Sequence, residues 1–267
     1  MTPRQKSWLR IKAVARRHRL VLQRSPHRLF DVTIWPLVDV LLFGSIGAFA
    51  SSQGGAGTAT FGYLLGGIVL WHVVYQAQIA VSTGFMEETW SRNLLNLMVT
   101  PIKEYEYMAG VALFGLVKLA MGVGLVAVTA FLFFAFDVTA LGLGLIPIAA
   151  ILLAVGWFIA LFVVGTILRF GSGAEALIWG VLFAVMPLSG VFYPVAALPA
   201  AVQPISQALP STHAFDAMRD LIDGKGLNWG EIGIAAIGSV VFGVLALAFV
   251  TKMLKLFRHR GYISRYS

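Results

Sequence analysis

The sequence predicts an all-α integral membrane protein. It has six transmembrane helices, an N-terminal interfacial amphipathic helix, a short cytoplasmic helix between the second and third crossings, and outer re-entrant half-helices between the fifth and sixth. Three observations carry that reading. First, the 267-residue chain is 58% hydrophobic and only 12% charged, with a mean hydropathy of +0.83. A soluble domain is near half apolar and about a quarter charged. So little charge cannot cover a water-facing surface, and the surplus apolar surface must face lipid. Second, the apolar residues form long continuous runs rather than a period-two alternation. That selects helices over a barrel, the other structure that satisfies every backbone group in lipid. Third, lysine and arginine gather at the two ends of the chain.

The expected crossings are 31–50, 61–84, 107–136, 143–168, 176–193 and 231–254. Each is near or above the about 20 residues a helix needs to cross a bilayer core. Residues 1–30 form a basic cytoplasmic segment and 31–267 the transmembrane domain. In the basic segment Trp8, Ile11, Val14 or Ala15, and Leu22 recur at helical spacing among Arg10, Lys12, Arg16, Arg17 and Arg19. Such a helix lies in the headgroup layer of an anionic leaflet. Nine basic residues precede Asp31 and five follow from Lys252 onward. Six crossings put both ends on one side, and the positive-inside rule makes that side cytoplasmic. This rule accounts for the net charge of +8, so no nucleic-acid partner is expected. A cleaved leader ending near Ala48–Ala50 is not expected either. The basic lead is too long, and Pro36 and Asp39 interrupt the apolar part. The chain contains no cysteine, which excludes disulfides and thiolate metal sites.

After the second crossing comes a polar insert, Glu87–Tyr107. Leu94, Leu97 and Met98 share one helical face, while Arg92, Asn93, Asn96 and Thr100 occupy others. Pro101 then ends or bends the helix. Periodicity leaves two roles open: a connector resting on lipid, or a docking element that enters a groove on a partner. Between the fifth and sixth crossings, Pro194, Pro199, Pro204 and Pro210 divide an apolar stretch into pieces too short to span. Two half-helices dipping back into the outer leaflet fit it.

Polar residues inside crossings are candidates for function. Asp39 and Lys118 lie about 13 and about 16 Å from the cytoplasmic face by helical rise. They are candidates to pair, within one chain or between two copies. His72 reads as a hydrogen-bonded packing residue. Gly62 with Gly66, and Gly142 with Gly144, permit close helix approach. Trp35, Phe43, Trp71, Tyr75, Trp179, Phe183, Phe192 and Tyr193 are core or lipid-facing aromatics, with a cargo path as the functional alternative.

Three blocks carry a family resemblance. They are "RSPHRLFDVTIWPLVDVLLFG" (24–44), "MEETWSRNLLNLMVTPIKEYEYMAG" (86–110) and "PLSGVFYPVAALPAAVQPISQALPSTHAFDAMRD" (187–220). In this order, on the expected sides of a six-helix frame, they resemble ABC-2 type export permeases. The resemblance implies that Glu87, Glu88, Arg92, Leu94, Leu97, Met98, Thr100 and Pro101 form a loop that docks on an ATPase. It implies an outer gate built from Ser189, Gly190, Phe192, Pro194, Pro199, Pro210, His213 and Arg219. It also implies a separate ABC ATPase subunit in two copies, which would bind the ATP and magnesium, and a location in the cell membrane. No Gly-x-x-x-x-Gly-Lys-Ser/Thr occurs, so this chain has no ATPase motif of its own. No cofactor, metal or catalytic residue is expected on it. No internal duplication is present, so a second copy of the same chain is the expected partner within the membrane. The expected cargo is amphipathic, drug-like or lipid-like, with a lipid-linked glycan or polysaccharide as the alternative. A proton-coupled transporter is more remote, and an intramembrane enzyme lacks any HExxH or GxSxG motif.

Overall fold

A computed structural model describes residues 3–52, 57–90 and 100–259. The described chain is all-helical. Long helices α1 (Pro3–Gln23), α2 (Pro26–Ser52), α3 (Gly57–Trp90), α4 (Glu104–Phe134) and α5 (Leu145–Phe170) follow in order. A 12-residue α6 (Leu177–Leu188), a five-residue α7 (Gln203–Gln207) and α8 (Pro210–Ile222) come next, before the final long helix α9 (Trp229–His259). The stretch 91–99, with Arg92, Leu94, Leu97 and Met98, lies outside the described residues, as do the side chains of Glu87 and Glu88.

Helix α3 is the hub. It packs against α2, α4 and α5, and more lightly against α6 and α8. In its most apolar window 94% of the residues are buried, against 22% for α2 and 22% for α4. The core runs through Leu65, Ile68 and Val74 of α3, Leu152 of α5 and Phe215 of α8. Close approach of α3 and α5 depends on Gly156, where a Cβ would come within 2.6 Å of the Ala77 methyl.

Five described helices, α2, α3, α4, α5 and α9, are long and apolar enough to cross a membrane. The expected fifth crossing, 176–193, is the departure. Its helix holds 12 residues, or about 18 Å, short of a core about 30 Å thick. Continuous apolar composition hid the reason. Pro187 sits in the last turn of the helix, Gly190 takes a positive φ of 59°, and the chain goes on toward the α8 end without regular helix. The re-entrant region also differs in detail. Residues 195–209 form a 3-10 turn at Val195–Ala197 and the short α7, with Pro199 between them and Pro204 in the first turn of α7. The substantial helix is α8, where Pro210 occupies the first turn, the position in which a missing N–H costs nothing.

Helix α1 also departs from the expected pattern. Val14, His18 and Leu22 are buried, while Trp8 is half exposed. The buried face packs on α4 of the same chain. Gly110 permits this, since a Cβ there would approach Val14 to 2.6 Å. Protein, not lipid alone, therefore selects the buried face. The two ends of the molecule are set by these contacts. Helix α1 marks one end. At the other, the close of α8 fits against Gly62 and Gly66 through Ile222, and against Gly144 through Leu221. Gly142 has no such neighbour and instead supplies a positive φ of 71°.

Candidate functional site

Two assemblies contain most of the described candidate residues. The first lies where α2 and α6 both pack on α3, and the strip of α3 between them is the floor of a groove. Trp35, Asp39 and Phe43 stand four residues apart and so share one face of α2. Asp39 is the middle residue of the 27-residue helix, and its side chain is 37% exposed. On the floor, His72 is 1% exposed, and its Nε2 lies 3.5 Å from an Asp39 carboxylate oxygen. The imidazole ring sits 5.6 Å from Tyr75, which in turn lies 6.1 Å from Trp179 on α6. Trp179 and Phe183, four residues apart, expose their rings on that wall. Nearer the α8 end, Phe43 stacks on Phe192 with centroids 4.1 Å apart and planes 18° apart. The groove is thus aromatic on both walls, acidic at its middle, and closed at one end by a ring stack.

Asp39 therefore meets His72, while Lys118 lines a separate small cavity beside His18, Thr83 and Phe114. Sequence reasoning compared only depth along each helix. It could not compare the rotation of α2 and α4 about their axes, which decides what each residue faces. It also passed over Gln76, Gln78 and Ser82, all buried on α3. Gln78 Nε2 donates to Ser82 Oγ and to the Ile178 carbonyl, each at 3.1 Å, tying α3 to the start of α6. Three polar side chains within two turns of a largely apolar helix are the available signal.

The second assembly is a cap around the end of α6. A helix that stops inside a membrane protein must have its last carbonyls satisfied by protein. Here Ser206 Oγ donates to the Leu188 carbonyl. Arg219 Nη1 donates to the Gly190 carbonyl at 2.6 Å, and Nη2 pairs with Asp216. Ser189 and Ser211 share a hydrogen bond of 2.7 Å, and Thr212 Oγ1 donates to the Ser206 carbonyl at 2.6 Å. His213 bridges further out. One ring nitrogen lies 2.9 Å from the Gln207 carbonyl and the other 2.7 Å from Glu231 on α9. Pro194 and Pro199 shape the turns between these groups, with Val202 N–H donating to the Pro199 carbonyl at 2.8 Å. Ser189, Gly190, Phe192, Pro210, His213 and Arg219 thus converge, whereas Ser206, Ser211, Asp216 and Glu231 are additions that sequence spacing alone did not single out. Beyond the cap, Lys225 and the Tyr63 hydroxyl both donate to Asp223 and hold its carboxyl below the ordinary range.

At the α1 end the described part of the expected docking loop is Thr100 and Pro101, both exposed. The chain then enters α4 through Glu106, whose carboxylate accepts from the Lys103 backbone N–H at 3.0 Å and pairs with Arg10 of α1 at 3.2 Å. The Lys103 N–H, then Ser7 and Arg10, keep the Glu106 carboxyl below its usual value.

A family model described as ABC-2 type transporter matches residues 10–222. The chain belongs to that family. The match runs from within α1 to the last residue of α8 and takes in both assemblies except Glu231. This ABC-2 type transporter chain is a multi-pass membrane protein and the permease subunit of an ABC transporter. It carries no ATPase motif, and its family works with an ABC ATPase partner. Comparison with curated proteins finds no match.

Proposed function

We propose that this permease exports an amphipathic, drug-like or lipid-like molecule from the cytoplasm or inner leaflet of the cell membrane. Two copies of the chain act with two copies of an ATPase, on which ATP and magnesium bind. Both termini and α1 lie on the cytoplasmic side, and the α8 end faces outward. Residues 1–30 form the interfacial segment, and 31–267 the transmembrane domain. The observation that carries this reading is the aromatic groove between α2 and α6, with the Phe43–Phe192 stack at its α8 end. Such walls accept a molecule with an apolar body. Phe192 stands two residues before Pro194, where the cap begins, so movement of the cap would open the stack.

Closure of the ATPases would reach the groove through the loop at 87–101. Leu94, Leu97 and Met98 form its docking face. Thr100 and Pro101 set the turn into α4, and Glu87, Glu88 and Arg92 brace the end of α3. The Arg10–Glu106 pair would make α1 move together with α4. The test is reconstitution of the chain with its ATPase in vesicles. Wild type should show cargo-stimulated hydrolysis, and Leu97→Glu should keep a folded permease while losing that stimulation. Intact coupling in the variant would remove the docking assignment. A lipid-linked glycan that stimulates hydrolysis better than any amphiphile would replace the cargo reading. The Asp39–His72 contact lends a proton-coupled mechanism structural support; transport without nucleotide, driven by a proton gradient, would favour it.

A further inference from the structure

We infer that the groove is built to hold the protonated amine of an amphipathic cargo between Asp39 and His72. This rests on the export reading above and narrows it to one chemical class. The argument begins with the histidine tautomer. His72 Nδ1 lies 3.0 Å from the Ile68 carbonyl, which can only accept, so Nδ1 carries the proton. A neutral ring then presents a lone pair at Nε2. That nitrogen is buried, has no hydrogen bond, and faces the Asp39 carboxylate at 3.5 Å. Two acceptors therefore point at each other in the middle of the membrane-spanning helices, with negative charge and no donor between them.

An ammonium group supplies what both lack. It has several N–H donors and a positive charge, so one N–H meets Asp39 and another meets Nε2. The surroundings fit the rest of such a molecule. Trp35 shares a face of α2 with Asp39, Tyr75 lies 5.6 Å from the His72 ring, and aromatic faces attract cations. Trp179 and Phe183 offer an apolar wall for the body. Asp39 is reachable, with 37% of its side chain exposed, while His72 is not. The cation thus enters from the groove, and the histidine is a fixed second acceptor behind it. A quaternary ammonium has no N–H and would forgo the Nε2 bond, which separates this site from a general cation trap.

The probe is monodansylcadaverine, whose amine is protonated at neutral pH, against its N-acetyl derivative, which keeps the fluorophore and loses the charge. Both are titrated into the full chain in lipid nanodiscs, with empty discs as the baseline, and fluorescence polarisation is read. Wild type should bind the amine about tenfold more tightly than the amide. Asp39→Asn should abolish that preference, and Asp39→Glu should keep it. Equal binding of amine and amide by wild type overturns the inference without any variant having to fold. So does an Asp39→Asn chain that weakens both probes alike. A preference that emerges only with Lys118→Met would instead mean that Lys118 of a second copy occupies Asp39, and would overturn it too. No ATPase is present, so a negative result leaves the export reading standing. Loss of coupling in reconstituted vesicles would test that separately.

Discussion

Helices α3 and α4 are both long, apolar and able to cross a membrane, yet they have opposite surroundings. Helix α3 is buried almost throughout and holds His72, Gln76, Gln78 and Ser82. Helix α4 is mostly uncovered and presents Leu116, Met121, Val128 and Leu132 outward. In water the more polar helix would be the outer one. In lipid the order inverts, because hydrocarbon offers nothing to a polar side chain and everything to leucine. Polar groups therefore mark the inside of this protein, and ties among them hold α3, α6 and α8 together. The α4 wall meets its neighbours closely at Gly110, Gly115 and Gly122.

The contrast would break first at Arg219. This guanidinium is 8% exposed and serves both the Gly190 carbonyl and Asp216. Arg219→Ala strands a buried carbonyl and leaves a partly exposed carboxylate unpaired, so unfolding in detergent should show a loss of about 2–3 kcal/mol. A wild-type unfolding midpoint would show that the cap is not part of the stable interior. Gln78→Leu comes next. It preserves volume but removes the donor to the Ile178 carbonyl, and about 1–2 kcal/mol should be lost. The same assay with no change would make α3 a packing hub only.

The Arg10–Glu106 pair sharpens the comparison through pH, because it joins α1 to the α4 wall rather than to the hub. The folded-state pKa of Glu106 is lowered, by the Lys103 N–H first and then by Ser7 and Arg10. Stability from this carboxylate is therefore fully present above the ordinary carboxylate range and fades as pH falls through the lowered value. Protease protection of α1 should stay constant near neutrality and decline only in strong acid, with Glu106→Gln removing the acid step. A decline already at mildly acidic pH would point to another group. The smallest effect belongs to the lipid face: Leu132 is 70% exposed, and Leu132→Ala should change stability by less than about 0.5 kcal/mol. A larger loss would mean that this face is covered by protein, as in contact with a second copy.

Legibility followed the range of the interactions. The spans of α2, α3, α4, α5 and α9 were readable, because length and apolar content are local. The α6 helix is shorter than the apolar run 176–193, since such a run can leave helical geometry once side chains from elsewhere satisfy its end. Ser206 and Arg219 do that from 18 and 29 residues away. The cap was legible as a cluster of named residues, Ser189 to Arg219, but its bonds were not. Asp39 was found as an unusual charge, yet its companion was not: a residue's depth follows from counting, whereas the face it presents depends on how two helices rotate against each other.

By itself, then, the sequence determined the membrane class, the basic end, the proline-divided segment and the polar positions, because composition and period act within one helix. Only the tertiary structure decided that α6 stops short, that α1 lies against α4, and that Asp39 faces a histidine lone pair. Those outcomes depend on contacts between helices distant in sequence, where a glycine that admits a neighbour or a carbonyl awaiting a donor selects among packings the local pattern leaves equal.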